Sequence, residues 1–242
     1  IMKMSELEKS LESSERGAYV SRMFDRIAPR YDLMNRLMSL GQDQRWRRRM
    51  ATLAALPPAG WALDLATGTG DVAAALLQRD PSAHVVGADF AVEMMRVGQQ
   101  KGQNGPITFM AADGLALPFA DQSFDAVLHA FLMRNIADIR AGFREQWRVL
   151  KPGGTVVCLE IVGPAAGWTR TLYHLFFERI VPQLGTVVSG DRMAYSYLPQ
   201  SVLRFPDPER LSRLMADEGF IDVRYERLML GSIAIHSARK AE

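Results

Sequence analysis

The run Leu63-Asp64-Leu65-Ala66-Thr67-Gly68-Thr69-Gly70-Asp71, answered by Val85-Val86-Gly87-Ala88-Asp89, constrains this chain more than any other stretch. A short apolar strand enters a loop of small residues, which opens into the helical pattern Val72-Ala73-Ala74-Ala75-Leu76-Leu77. Nineteen residues after Gly70, an acid closes a second apolar strand. This is the layout of a nucleoside-binding βαβ unit. The glycines permit a sharp turn and close backbone approach, and the second-strand acid accepts hydrogen bonds from a ribose diol.

A dinucleotide site needs a third glycine, so that a pyrophosphate can rest on the helix N-terminus. Here Gly68 and Gly70 are followed by Asp71 and alanines. Asp71 at the helix start and Asp64 on the strand would repel a pyrophosphate. Both suit a ligand carrying an ammonium and a sulfonium, such as S-adenosylmethionine. An ordinary strand-to-helix turn remains the alternative at this segment alone.

Around the loop, strands are expected at 61–66, 84–88, 107–110, 124–129 and 154–160, alternating with helices at 70–79, 91–101 and 138–149. Such alternation argues an α/β fold with a parallel sheet covered on both faces. Beyond Glu160 the order changes to a helical stretch at 168–188, a helix at 207–218 and a hairpin-like pair near 221–228 and 231–237. One edge strand should therefore run antiparallel. Residues 1–56 read as helices without strands, an N-terminal helical cap or substrate lid. Residues 57–242 form the core, with a helical insertion at about 165–206. A chain of 242 residues is long enough for this arrangement.

The formal net charge of +2 gives no support to a nucleic-acid partner. Arg45, Arg47, Arg48 and Arg49 cluster around Trp46 and read either as a solvated helix face or as a contact for an anionic surface. The one cysteine, Cys158, excludes an intrachain disulfide, fits a reducing compartment, and sits in an apolar run as a small buried hydrophobe. Four scattered histidines offer no metal-ligand spacing, so no metal is expected. No run is long enough to span a bilayer, and residues 1–20 are too polar for a signal peptide. A cytoplasmic protein is the expectation.

Ligands of open α/β sheets lie beyond the carboxyl ends of the strands. That rule brings together the loop 66–71, Asp89, Asp113, His129-Ala130 and Arg134-Asn135. Asp113 could accept the adenine amino group, with the Gly114 backbone against the ring; a turn acid is the alternative.

Several further runs share one pattern: Phe24 to Gly41, Trp46-Arg47, Asp64 to Asp71, Ala116-Leu117-Pro118-Phe119, and Arg148 to Gly154. Pro182 with Gly185, then Asp191, Tyr195, Tyr197-Leu198 and Ser201, continue it, as do Phe205-Pro206-Asp207 and Gly219-Phe220. In these the chain resembles the menaquinone/ubiquinone C-methyltransferase family of class I, S-adenosylmethionine-dependent enzymes. The resemblance implies a Rossmann-like, mostly parallel seven-stranded sheet with one antiparallel edge strand and helices on both faces. It also implies C-methylation of a polyprenylated quinol ring, as in demethylmenaquinol to menaquinol. The alternatives are another lipophilic or aromatic acceptor, or a non-catalytic S-adenosylmethionine-binding partner in a quinone-biosynthetic complex.

Family contacts carried over by position fall on Thr69, Asp89, Asp113 and Gly114. With its neighbours, the candidate cofactor set is Asp64, Ala66, Thr67, Gly68, Thr69, Gly70, Asp89, Phe90, Asp113, Gly114, His129 and Ala130. Arg134, beside Asn135, would stabilise an acceptor phenolate, because a guanidinium stays charged and offers several donors; its bland alternative is a pair with Asp138. Tyr31, Asp32, His129 and Asp191 are the candidates for taking the proton. The chain departs from the family at Asp113-Gly114, Ala130, Leu132 and Met133, which puts the exact acceptor in question. Phe24, Leu37, Met38, Trp168, Leu172, Phe176 and Phe177 could line a tunnel for a hydrophobic tail. The Arg45–Arg49 helix could then rest on anionic lipid at the inner face of the membrane. Exposed apolar helices leave a homodimer open.

Overall fold

The computed structural model describes residues 13–102, 105–163, 183, 198–199 and 201–242. A seven-stranded sheet carries the fold, in the order β3-β2-β1-β4-β5-β7-β6. Its strands are β1 Trp61–Leu65, β2 His84–Asp89, β3 Ile107–Ala111, β4 Phe124–Ala130, β5 Leu150–Ile161, β6 Phe220–Leu228 and β7 Ile233–Lys240. The first five pair in parallel. β7 runs against its neighbours on both sides, β5 and the edge strand β6. The hairpin that the sequence announces thus places the reversed strand one position inside that edge.

The strands β1, β4 and β5 are almost wholly buried, as their apolar composition requires when helices cover both faces. β5 starts earlier than the expected residue 154. Pro152-Gly153-Gly154 forms an irregularity within the strand rather than its boundary, and the β4–β5 register shifts between Phe124 and Ala126. Gly153 takes φ +75°, which a glycine adopts without steric cost.

Helices flank the sheet, among them α1 Ser13–Ile27, α2 Tyr31–Met38, α3 Asp43–Leu53, α4 Asp71–Arg79, α5 Val92–Gln100, α6 Ile139–Val149 and α7 Pro208–Asp217. Helices α1 to α4 share one core with the sheet, in which Met23, Met34, Trp46 and Met50 meet Leu76, Leu128 and Leu159. On the opposite face Phe143 of α6 and Leu211 and Met215 of α7 pack with Val127, Val156 and Phe220. Asp138 and Asp207 cap α6 and α7, accepting from Ala141 N at 3.0 Å and Arg210 N at 2.7 Å. Apart from Gln183, which is helical, the expected helical stretch at 168–188 lies outside the described residues. Among the described residues no helix is long and apolar enough to cross a membrane, and no cluster of metal-ligating side chains occurs.

Candidate active site

Strand order reverses between β1 and β4, and the crevice opens there. The β1–α4 loop bends through three left-handed positions, Ala66 (φ +55°), Gly68 (φ +57°) and Gly70 (φ +83°). Thr67 Oγ1 donates to Asp64 Oδ2 at 2.6 Å, and Ala73 N donates to the same oxygen at 3.0 Å. Asp64 is therefore a brace beneath the loop, tying it to the first turn of α4. Burial raises its carboxyl to about 7. Gly87 leaves room for this brace, since a Cβ there would lie 2.9 Å from Thr67 Oγ1.

Asp71 does not face the crevice, contrary to its expected place beside a cationic ligand. Its carboxylate pairs with Lys101 Nζ at 2.8 Å and Arg47 Nη2 at 3.2 Å on the far side of the loop. Asp32 belongs to the same network: it pairs with Lys101 at 2.6 Å and accepts from Thr69 Oγ1 at 2.6 Å. Neither Asp32 nor Thr69 lines the crevice. Asp32 is thus removed from the acids placed to take a substrate proton. Thr69 fastens the loop to α2.

A cavity of about 520 Å³ fills the crevice, within the range of small-molecule sites. Ala66, Gly68, Asp89, Phe90, Asp113 and Gly114 form one side, and Ala130, Phe131, Leu132 and Asn135 another. Helix α1 closes over it with Gly17, Val20, Ser21 and Phe24. Ser21 Oγ donates to Phe90 O at 3.2 Å, and Asp25 accepts from the first turn of α5 at Glu93 N, 3.0 Å away. Asp89 Oδ2 accepts from Gly68 N and Oδ1 from Ala91 N, each at 2.7 Å, leaving one lone pair on each oxygen for a diol. Burial raises this carboxyl to about 6, against the pull of the backbone donors. Asp113 Oδ1 accepts from Leu115 N at 2.9 Å, so the acid both makes a turn and borders the cavity. A Cβ at Gly114 would meet Ile136 at an ordinary 3.4 Å, so a small side chain there would cost the wall little.

His129 falls away from this site. Strand alternation points Ala130 at the cavity and His129 at α6, where its ring sits beside Phe143, fully buried. Neither ring nitrogen has a hydrogen-bond partner, and burial lowers its pKa to about 3. His129 is a neutral core residue and neither a base nor a cofactor contact. Met133 likewise faces inward, taking a contact from Gln146 Nε2 at 3.7 Å. Of the three departures near 130–133, only Ala130 and Leu132 border the cavity.

Arg134 pairs with Glu160 rather than with Asp138. Its Nη1 donates to Glu160 Oε2 at 3.2 Å and to Phe131 O at 2.9 Å, and its guanidinium carbon lies 5.3 Å from the Phe131 ring centre. Glu160 is fully buried and also accepts from Met133 N at 2.6 Å; burial raises its pKa. Phe131, at φ +65°, is in a conformation that bulky residues rarely adopt. It turns its carbonyl toward Arg134 Nη1 and Asn135 Nδ2, the latter at 2.8 Å.

A second, smaller cavity of about 70 Å³ adjoins the first and shares Phe24, Tyr31 and Phe131 with it. Arg134, Asn35, Asp43 and Trp46 line it, with Met38 and Met229 among the apolar residues. Burial raises the Tyr31 pKa, against a hydrogen bond with Asn35 and the charge of Arg134. Its phenol stays protonated at neutral pH.

Of the expected tunnel residues, Phe24 and Met38 face these cavities, whereas Leu37 points outward. Trp168, Leu172, Phe176 and Phe177 lie outside the described residues, as does the candidate Asp191. The arginine cluster is also split: Arg47 is buried between Asp43 and Asp71, and Arg49 Nε binds Glu226 at 2.7 Å. The sequence reading missed Glu160, Phe131, Asn35 and Asp43. Glu160 had a signal, as the one acid of the apolar strand β5; the strained turn at Phe131 had none.

A family model described as the ubiE/COQ5 methyltransferase family matches residues 11–240. The demethylmenaquinone methyltransferase of Thermus thermophilus is 50% identical over 216 residues, covering 88% of this chain and 98% of that protein. That of Roseiflexus castenholzii is 46% identical over 226 residues, 93% of this chain and 95% of the relative. The ubiquinone/menaquinone biosynthesis C-methyltransferase UbiE of Desulfotalea psychrophila is 43% identical over 221 residues, 91% and 90%. Among solved structures, the [4+2]-cyclase SpnF superposes with a TM-score of 0.69 at 19% identity, covering 93% of this chain and 97% of that one. The phosphoethanolamine N-methyltransferase 2 of Haemonchus contortus, solved with S-adenosylhomocysteine, gives 0.60 at 17% identity, covering 82% and 53%. These structural likenesses concern the fold.

Proposed function

The chain belongs to the ubiE/COQ5 methyltransferase family, and from that premise we propose that it methylates a ring carbon of a polyprenylated quinol, as in demethylmenaquinol to menaquinol, using S-adenosylmethionine. The observation that carries this reading is the adjacency of two sites. A crevice shaped for a nucleoside shares the wall Phe24, Tyr31 and Phe131 with a small cavity holding the Arg134 guanidinium.

S-adenosylmethionine supplies an electrophilic methyl group on a cationic sulfur. The residues fit that ligand: Asp89 receives the ribose diol, Asp113 and Gly114 border the adenine, and Gly68 lets the loop backbone approach. Asp64, Thr67, Thr69 and Gly70 act one step back, holding the loop in shape. Phe24, Val20 and Phe131 exclude water from the path between donor and acceptor. Displacement at a sulfonium needs the acceptor carbon in line behind the methyl, so the walls contribute chiefly by positioning.

A phenolic ring carbon becomes a competent nucleophile when its hydroxyl is ionised, the hydroxyl proton passing to water. After the methyl carbon bonds to the ring and its bond to sulfur breaks, the ring proton is released and the oxygen regains one. Arg134 stabilises that oxyanion as a fixed positive charge in a buried wall; it is not the base, since a guanidinium does not release its proton near neutrality. Tyr31, protonated, adds a second donor. Ala130 and Leu132 set the width available to the acceptor.

The reading extends to a peripheral contact with anionic lipid, through a different surface from the arginine run. Leu37, Leu40 and Leu230 are exposed, and each is the chain neighbour of a residue lining the small cavity: Met38, Ser39 and Met229. Arg36 of α2 and Arg45 and Arg48 of α3 are exposed nearby in the chain. Co-sedimentation with phosphatidylglycerol vesicles at low salt tests this, and protein left in the supernatant ends it.

The reaction itself is tested by incubating the protein with S-adenosylmethionine and short-chain demethylmenaquinol. The expected product is heavier by one methylene, by mass spectrometry. Tight donor binding without that product would favour another lipophilic or aromatic acceptor.

A further inference from the structure

Behind the donor loop, where Asp71 faces away from the crevice, helices α2, α3 and α4 enclose another cavity of about 470 Å³. Ala74 and Ala75 of α4, both small, keep the space between the helices open. Its charged lining is four cations, Arg36, Arg47, Arg48 and Lys101, against two acids, Asp32 and Asp71. Both acids are already engaged: Lys101 pairs with each, and Arg47 pairs with Asp71.

Arg36 of α2 and Arg48 of α3 have no acidic partner among the described residues. Arg48 commits only its Nε, to Gln44 O at 3.3 Å. The side-chain amides of Gln44 and Gln78, also on this lining, have no partner among the described residues either. Every unengaged polar side chain around the cavity can therefore donate, and two of them are guanidinium groups. The other arginines of α3 differ. Arg47 has Asp43 and Asp71, Arg49 has Glu226, and Arg45 lies off the cavity.

We propose that this cavity binds a phosphate ester, its phosphate held by Arg36 and Arg48 and its substituent lying against Ala74 and Ala75. A guanidinium fork matches two phosphate oxygens at once, and the amides add donors for the remaining ones. Four cations against two acids leave two positive charges, close to the charge that a phosphate monoester carries with opposite sign near neutrality. The volume lies in the range of small-molecule sites and exceeds what a bare oxyanion fills, which is why the ligand is an ester. None of the lining residues borders the donor crevice or the small cavity beside it, so the site stands whatever the methyl acceptor is.

The probe is glycerol 3-phosphate, titrated calorimetrically into protein whose crevice is filled with S-adenosylhomocysteine. Salt is kept at about 0.15 M so that distant charges are screened. Saturable binding is expected, with a dissociation constant in the millimolar range or tighter. Arg48→Gln should weaken it about tenfold, the span of one charge-assisted hydrogen bond, and Arg36→Gln by a similar factor. Arg45→Gln removes the same charge from the same helix but not from the cavity, and should change affinity less than about twofold. All three side chains are exposed, so the variants should melt close to wild type. Phosphatidylglycerol vesicles distinguish the source of the phosphate. Vesicles that compete with glycerol 3-phosphate assign the site to a lipid headgroup; vesicles that leave the titration unchanged assign it to a soluble ester. Absence of saturable binding overturns the proposal, as does an equal loss of affinity in Arg45→Gln and Arg48→Gln.

Discussion

Thr69 Oγ1 donates to Asp32 Oδ1 at 2.6 Å, joining the donor loop to the helix that carries Tyr31 and Asn35. Lys101 Nζ binds Thr69 Oγ1 at 2.7 Å and pairs with both Asp32 and Asp71. The loop that shapes one site is thus latched to the helix that lines the other. Thr69→Val removes the hydroxyl and keeps the volume. The hydroxyl makes two bonds, to Asp32 and from Lys101, and their loss in this half-buried network is worth about 1–2 kcal/mol, or roughly fivefold to thirtyfold in an equilibrium. Calorimetry should show S-adenosylmethionine binding weakened by about that factor, and KM for quinol should rise with it. Donor affinity that changes alone would mean that α2 is not coupled to the loop.

The pH behaviour of Asp64 can be isolated by difference. Burial raises it from 3.8 to about 7, so the folded state holds its proton more tightly than the unfolded chain does. Its stabilising contribution is full below about pH 4 and is lost as pH rises through 7. His129, lowered to about 3 by burial, works the other way, losing stability as pH falls through its ordinary 6.5. The wild-type curve therefore mixes opposed slopes. Asp64→Asn keeps an oxygen for Thr67 and Ala73 and removes the charge. Its stability relative to wild type should grow by on the order of 2–3 kcal/mol between pH 5 and pH 8, by thermal or urea unfolding. A difference independent of pH would place an ordinary carboxylate at Asp64.

What the sequence made legible follows the range of the interactions. The loop 66–70 and Asp89 are fixed by local rules: small residues where the backbone turns left-handed, and an acid at the end of the next strand. The partners of the charges are not local. Asp71 meets Lys101, and Arg134 meets Glu160, only after the sheet has assembled. The two acids invoked for a cationic ligand were therefore misplaced, one beneath the loop and one behind it. His129 and Ala130 differ by one step of strand alternation, and which faces the crevice depends on the register of β4 against β1.

Removal of Arg134 separates chemistry from binding. Arg134→Ala alone leaves Glu160 buried and uncompensated, destabilising by about 3–5 kcal/mol. The double variant Arg134→Ala, Glu160→Gln removes both charges and should fold. Its turnover should drop by at least about a hundredfold. Donor affinity should stay within about threefold, under 1 kcal/mol, because neither residue borders the nucleoside crevice. A collapse of donor affinity in the folded double variant would make Arg134 a structural residue.

Gly98 tests how rigidly the donor loop is backed. A Cβ at this position of α5 would lie 2.8 Å from Thr69 O, 3.0 Å from Thr69 C and 3.1 Å from Phe109 Cζ. Two of those atoms belong to the loop backbone, which has no rotamer to change. The loop also cannot slide, because Thr69 is held by Asp32 and Lys101 while Thr67 is held by Asp64. Helix propensity alone would make Gly98→Ala stabilising by about 1 kcal/mol. The clash reverses the sign, and a loss of about 1–3 kcal/mol is expected, read as a lower melting temperature. Because the displaced element is the loop itself, the dissociation constant for S-adenosylmethionine should rise together with that loss. Gly17→Ala, where nothing lies within 4 Å of the added carbon, supplies the comparison and should gain stability from helix propensity alone. A Gly98→Ala protein as stable as wild type, with unchanged donor affinity, would show that α5 gives way and that the loop's shape is set by Asp64 and Thr67 without it.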